Sequence, residues 1–267
     1  MTTSMQYGAT NFPVKPVLEE IAVFGRLGFD YLELAMDPPL AHHTQVRREQ
    51  AAVREALDRY GMGIVCHLPT FLSTADLTES LRRVSVEETT ASLALAAELG
   101  AAKAVLHPSY MNGLSIHVPE LWREHALDSL ERIVSAGKSF GVQLCLENLF
   151  PKISPFSTPE VFGDVFERFP ELAMTLDIGH AHIGEDGMPR ILEFIKTFAD
   201  RIHHLHISDN NGRRDEHLPV GQGSLDFNAT AEALRRSGYD GTVTLEIFDP
   251  DRTTLVESRK ALERLFS

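Results

Sequence analysis

Six short apolar runs in this chain each end on a side chain that can bind a metal or move a proton. Gly63-Ile-Val-Cys-His67 and Ala104-Val-Leu-His107 end on imidazoles. Gln143-Leu-Cys-Leu-Glu147 and Ala173-Met-Thr-Leu-Asp177 end on carboxylates, and Ile202-His-His-Leu-His206 and Val243-Thr-Leu-Glu246 supply one of each. Any one of these alone reads as a satisfied polar residue at the edge of a core. Six in succession is a different observation, because gathered groups of this kind repel one another or lose hydration. A bound divalent cation is the simplest compensation, since all six are metal-ligand types. Further ligand types follow in the adjoining segments, His180 in Asp177-Ile-Gly-His180 and the pair in Asp215-Glu-His217. The D-x-H spacing lets alternate side chains of an extended loop point the same way.

Those residues need elements to hold them. Strands are read at Gln6–Ala9, Tyr31–Leu34, Gly63–His67, Ala104–His107, Gln143–Glu147, Ala173–Asp177, Ile202–His206 and Val243–Glu246. Helical patterns lie between them, at Val17–Leu27, Gln45–Tyr60, Leu81–Leu99, Leu121–Phe140, Pro159–Phe169, Pro189–Phe198, Ala229–Arg236 and Thr253–Phe266. Gly100 closes one helix, as C-caps often do, and Ser157-Thr158-Pro159 opens another with a first-turn proline. Strands alternating with helices specify a parallel sheet with crossovers. Eight such units in about 250 residues close a single (β/α)8 TIM barrel, read here as one domain over residues 1–267 without a Pro/Gly/Ser-rich linker. A doubly wound open sheet is the rival, but Tyr7-Gly-Ala-Thr-Asn-Phe-Pro13 has one glycine and no dinucleotide loop. In a barrel, the C-terminal strand ends meet at one mouth, where catalytic groups gather.

Composition narrows the classes of partner. The 267 residues are 43% hydrophobic and 24% charged, an ordinary globular balance. The formal net charge is −13, which argues against a nucleic-acid or anionic-lipid footprint. Two cysteines, Cys66 and Cys145, lie in apolar runs and read as buried thiols rather than a disulfide framework. The N-terminal Met1–Gln6 has no basic and apolar leader pattern, and no run approaches the ~18–20 apolar residues of a membrane span. A cytoplasmic protein is expected, and self-association into a homo-oligomer stays open.

The motifs together resemble the xylose isomerase-like TIM-barrel superfamily, which holds sugar isomerases and epimerases and the type-IV apurinic endonucleases. The resemblance rests on His67-Leu-Pro69, His107-Pro108, Leu146-Glu-Asn148, Leu176-Asp-Ile-Gly-His-Ala-His182, the His206–Gly223 segment and Leu245-Glu246. It implies one of two site plans. In the isomerase branch one Mn²⁺-, Mg²⁺- or Co²⁺-type ion sits on Glu147, Asp177, His206 and Glu246, and the two glutamates flank the substrate carbon. In the endonuclease branch three zinc ions are held, the first by His67, His107 and Glu147, the second by the four residues just named, and the third by His180, Asp215 and His217. All nine positions carry a suitable residue here.

The surroundings decide between the plans. Opening a DNA duplex requires phosphate-binding cations and wedging side chains, and near the mouth the sequence offers only Lys152, Arg213 and Arg214. The pairs Arg47-Arg48, Arg82-Arg83 and Arg235-Arg236 fall on helices. The expected activity is therefore a metal-dependent isomerase or epimerase of a small sugar or sugar phosphate, with one to three ions of Zn, Mn, Co or Mg. Glu147 and Glu246 are the expected acid–base pair, acting through an enediolate, and His180, Arg213, Arg214 and Glu33 are expected to bind substrate. A trinuclear zinc phosphodiesterase of abasic DNA is the alternative. Asn148 is read as a brace, His42, His43, His117 and His125 as surface groups, and one of His203 and His204 as inward-facing.

Overall fold

A computed structural model describes residues 5–111 and 113–267; most of the leader region considered above, residues 1–4, lies outside them. The strands are β1 (Gln6–Thr10), β2 (Tyr31–Ala35), β3 (Gly63–His67), β4 (Lys103–Leu106), β5 (Gln143–Glu147), β6 (Ala173–Asp177), β7 (Ile202–Ile207) and β8 (Thr242–Leu245). They close a parallel barrel in chain order, β8 returning to β1 through Gln6↔Thr242 and Ala9↔Leu245. The fold is the (β/α)8 TIM barrel that the strand and helix pattern specifies.

The helices are α1 (Val17–Arg26), α2 (His43–Arg48), α3 (Gln50–Tyr60), α4 (Glu79–Leu99), α5 (Pro119–Phe140), α6 (Pro159–Arg168), α7 (Ile178–His182), α8 (Gly187–Thr197), α9 (Phe227–Ser237) and α10 (Thr253–Phe266). Each long helix turns a stripe toward the barrel. On α1 the stripe is Val17, Ile21 and Phe24, the i, i+4, i+7 spacing of one helical face. The pattern over Gln45–Tyr60 resolves into two helices, because Glu49 leaves helical geometry at φ −107 and ψ 9. The five-residue α7 is an addition that periodicity is too short to show. Asp177 starts it, its Oδ1 accepting the His180 N–H at 2.6 Å, the usual chemistry of an aspartate N-cap. His43 is a correction to its surface reading: it is buried, with Nε2 2.8 Å from Glu88 on α4.

Period-two alternation divides every strand between two environments. Leu32 and Leu34 face outward and join the layer shared with the helices, as do Leu144, Leu146, Met174 and Leu176. Tyr31, Val65 and Val105 form a separate small cluster inside the barrel. Above it the interior turns polar. Tyr31 Oη lies 2.8 Å from Thr244 Oγ1, and the Thr244 hydroxyl donates to Glu33. This lower layer is the plate on which the mouth residues stand. No described helix is long and apolar enough to cross a membrane.

Gly8 is fixed by this packing, since a Cβ there would run into the Tyr31 ring. Gly8→Ala should cost about 1–3 kcal/mol through overpacking. Gly163, inside α6 with nothing within 4 Å of a Cβ, supplies the contrast, and Gly163→Ala should gain about 0.5–1 kcal/mol. Urea unfolding midpoints check both, and an unperturbed Gly8→Ala would show that the Tyr31 layer yields freely.

Candidate metal centre at the barrel mouth

The strand-end residues converge as their positions require. Ligand atoms of Glu147, Asp177, His206 and Glu246 all lie within 4.8 Å of one another, and all four residues are buried. His206 Nδ1 is the hub. It stands 3.4 Å from Glu147 Oε1, 3.5 Å from Glu246 Oε1 and 3.7 Å from Asp177 Oδ2. Three carboxylates thus surround one nitrogen at distances too long for good hydrogen bonds. His206 Nδ1 and Asp177 Oδ2 are left without a hydrogen-bond partner. Buried polar atoms are ordinarily satisfied, and two adjacent exceptions need an explanation. A cation among these four atoms would satisfy both. Three oxygens and one imidazole nitrogen form a donor set that divalent ions of the Mn²⁺ or Mg²⁺ kind accept readily.

The electrostatics agree. Burial pushes the Asp177 carboxyl up to about 7; His180 pulls it down, while the charges of Glu147 and Glu246 push it further up. Burial lowers the His107 imidazole to about 3, with the charges of His67, His180 and His206 adding to it and that of Glu147 opposing it, which keeps the ring neutral. His67 goes the other way, to about 9: burial lowers it, but its hydrogen bond to Glu147 at 3.2 Å and the charge of that carboxylate outweigh burial.

Glu33 has a place that the sequence reading missed. It does not line the mouth cavity. It lies fully buried beneath His206, with Oε1 2.8 Å from His206 Nε2 and Oε2 2.8 Å from His204 Nε2. Burial would raise this carboxyl; the imidazoles of His206 and His204 outweigh that and hold it well below the usual carboxylate range. Glu33 therefore accepts the Nε2–H of His206 and leaves Nδ1 to face the carboxylates. Such an outer carboxylate fixes both tautomer and ring orientation of a metal-ligating histidine. The signal was present in the sequence, since Glu33 shares its strand face with Tyr31, as His204 does with His206. What could not be read was the pairing of β2 with β7 side chains across the barrel.

The second tier is braced by backbone contacts. Asn148 donates from Nδ2 to the Asp177 carbonyl and accepts the Asp177 N–H, both at 2.9 Å, the bracing role expected of it. Asp209, just past β7, accepts N–H groups from Asn210, Gly221, Gly223 and Leu225 at 2.8–3.2 Å. That folds the β7–α9 loop back and carries Asp215 and His217 to the mouth. Gly223 is needed at this fold, because a Cβ would strike the Asn210 carbonyl and the Asp209 carboxylate. Asp215 Oδ2 bridges His180 Nε2 at 3.2 Å and His217 Nε2 at 2.9 Å. His217 has φ +48, left-handed for a residue with a side chain, and strain of this sort gathers at functional sites. His107 lies beside His67, ring centroids 5.9 Å apart, with its Nδ1 unpartnered.

A cavity of about 830 Å³ opens above these groups, with His67, His107, Glu147, His180, Asp215, His217 and Glu246 in its walls. Among the described residues, no Lys or Arg lines it. Arg213 and Arg214 are exposed and outside it, and Arg214 is paired with Glu216 at 3.2 Å. Lys152 is outside it as well, with Nζ 3.3 Å from the Arg213 carbonyl.

A parallel barrel with ionisable side chains gathered at its C-terminal mouth is the architecture of an enzyme. The family model for the xylose isomerase-like TIM barrel matches residues 21–265, and the chain belongs to that family. The Methanocaldococcus jannaschii protein MJ1311 is 33% identical over 207 residues, 72% of this chain and 67% of its own length. Fructoselysine 3-epimerase of Escherichia coli O157:H7 is 23% identical over 197 residues, 70% of this chain and 67% of that enzyme. Among solved structures, a D-tagatose 3-epimerase-like protein superposes with a TM-score of 0.87 at 27% identity, over 98% of this chain and 97% of the other. Sugar epimerases thus recur among its relatives.

Glu33→Gln tests the positioning of His206. An amide cannot accept from both imidazoles, so the ring loses its fixed orientation. The Kd for Mn²⁺, read by titration calorimetry, should rise about 10–100-fold. An unchanged Kd would reduce Glu33 to packing.

Proposed function

We propose that this barrel is a metal-dependent epimerase or isomerase of a small, uncharged polyhydroxy carbonyl compound, working by proton transfer at the carbon next to the carbonyl. The observation that carries the reading is the pair Glu147 and Glu246. Both line the cavity, and both stand within 3.5 Å of His206 Nδ1 in a cluster whose unpartnered atoms call for a cation. Its residues are Glu147, Asp177, His206 and Glu246, and a bound divalent ion would supply Lewis acidity toward the substrate's carbonyl and hydroxyl oxygens. One glutamate takes the carbon-bound proton, leaving an enediolate, and the other returns a proton to carbon. His67 donates to Glu147 and holds its Oε2 in place. His180 lines the cavity with both ring nitrogens engaged, Nδ1 on the Asn148 carbonyl at 3.0 Å and Nε2 on Asp215 at 3.2 Å, and so holds Asp215 at the mouth. The lack of a lining Lys or Arg favours a neutral sugar over a sugar phosphate, because a phosphate dianion would find no cationic side chain. The epimerases among the relatives support the same class of reaction.

The test is hydrogen exchange. Metal-loaded protein in deuterated solvent should exchange the carbon-bound hydrogen beside the carbonyl of at least one ketose. Glu246→Gln and Glu147→Gln should each slow that exchange by about 10²–10⁴, the usual worth of a positioned acid or base, with the melting transition of the fold retained. Incision of an abasic-site duplex at ~1 s⁻¹ or faster, without exchange in any sugar, would overturn the proposal in favour of the phosphodiesterase.

A further inference from the structure

A second group of metal-ligand side chains lies outside the mouth, where the segment after β2 meets α4. His42 and His43 open α2, and Glu88 lies midway along α4. The Nε2 atoms of His42 and His43 stand 3.1 and 2.8 Å from one oxygen, Glu88 Oε2. None of the three residues lines the mouth cavity. Consecutive residues within a helix do not face the same way, and here they do. The cause is local. His42 is the N-cap, at a non-helical φ −57 and ψ 143, and its ring centroid comes within 4.2 Å of the His43 ring.

The surroundings suit a ligand role. The Thr44 hydroxyl lies 2.9 Å from His42 Nδ1 and can accept its N–H, which leaves the lone pair on Nε2. An outer contact of that kind orients a metal-ligating imidazole and fixes its tautomer. The Thr44 N–H approaches the same nitrogen only at 3.4 Å, too long to compete well. Two imidazole nitrogens and a carboxylate oxygen, all within 4.8 Å of one another, are a zinc donor set, more imidazole-rich than the mouth cluster. Tetrahedral bonds of ~2.0–2.2 Å set donor atoms about 3.4 Å apart, close to the separations already present. The His43 side chain is 10% exposed, whereas His42 is 28% and Glu88 38% exposed. One ligand is thus fixed by packing, and the other two leave an entry path and room for water.

We propose that His42, His43 and Glu88 hold a zinc-type divalent cation, with water as its fourth ligand, that clamps the β2–α2 segment to α4. The same segment supplies Asp37 to the wall of the mouth cavity, where its carboxylate accepts the Thr70 N–H at 3.1 Å and the Thr70 hydroxyl at 3.0 Å. The clamp therefore fastens one wall of the mouth from outside.

The experiment counts zinc. Metal-free full chain is dialysed against micromolar free Zn²⁺, and zinc per chain is measured by atomic absorption. Glu88→Gln and His42→Ser should each bind one equivalent fewer than the unaltered protein. Adding Glu88→Gln to Glu246→Gln should again remove one equivalent, which separates this site from the mouth. In the unaltered chain the Nε2 resonances of His42 and His43 should both shift when zinc is added, a reading that needs no variant. Equal zinc content with and without Glu88→Gln and His42→Ser, an equivalent that binds only at millimolar zinc, or unmoved resonances would overturn the proposal. None of those results bears on the epimerase reading, which rests on other residues.

Discussion

Three carboxylates directed at one imidazole nitrogen inside a protein make an arrangement that cannot stand by itself. Glu147, Asp177 and Glu246 surround His206 Nδ1 at 3.4–3.7 Å, in a place where burial raises the Asp177 carboxyl while the surrounding imidazoles outweigh burial and hold Glu147 low. Much of the barrel mouth is understandable as support for that arrangement. Glu33 holds the far side of the His206 ring, Asn148 locks β5 to β6 beside Asp177, and α7 begins on the Asp177 side chain. The four donors come from four strands. Only a closed barrel with its register fixed brings them together, and a one-residue slip in any strand would turn its ligand to the opposite face.

The support extends outward through the loop after β7. Asp209 collects four backbone N–H groups, and Asn210 ties the same loop to α7 by donating to the Gly179 carbonyl at 2.8 Å. Asp215 therefore arrives between His180 and His217 on a loop held from both ends. The Asp215 carboxyl stays low: burial raises it, and its hydrogen bonds from His180 and His217 outweigh that. Hydrogen bonds at both ends hold this loop in place, as the proposed proton transfer at one carbon atom would require.

Much of this was legible in the amino-acid order. Apolar runs ending on His, Glu or Asp identified β3 and β5 to β7 within a residue, and they ended the fourth and eighth strands on His107 and Glu246, which the structure places one residue beyond β4 and β8. The C-terminal mouth followed from the parallel alternation of strands and helices. The parts that escaped depend on contacts between distant segments. Glu33 looked available to substrate because its strand end was visible and its partners on β7 were not. Arg213 and Arg214 looked like substrate anchors because they follow a ligand strand, yet the Asp209 fold carries them outside the cavity. His43 looked exposed because Glu88 lies far along the chain. The aromatic walls of the cavity are assembled at a distance as well, with Phe12, Phe71, Tyr110 and Phe248 coming from four separate loops.

The central claim is that one cation belongs among Glu147, Asp177, His206 and Glu246. Anomalous diffraction at the manganese edge from crystals grown with Mn²⁺ tests it most directly. The account predicts one strong peak bonded to the three carboxylates and to His206 Nδ1, with the His206 Nε2 still on Glu33. Equally strong peaks at His67–His107 and at His180–Asp215–His217, or none within the four-residue cluster, would contradict it.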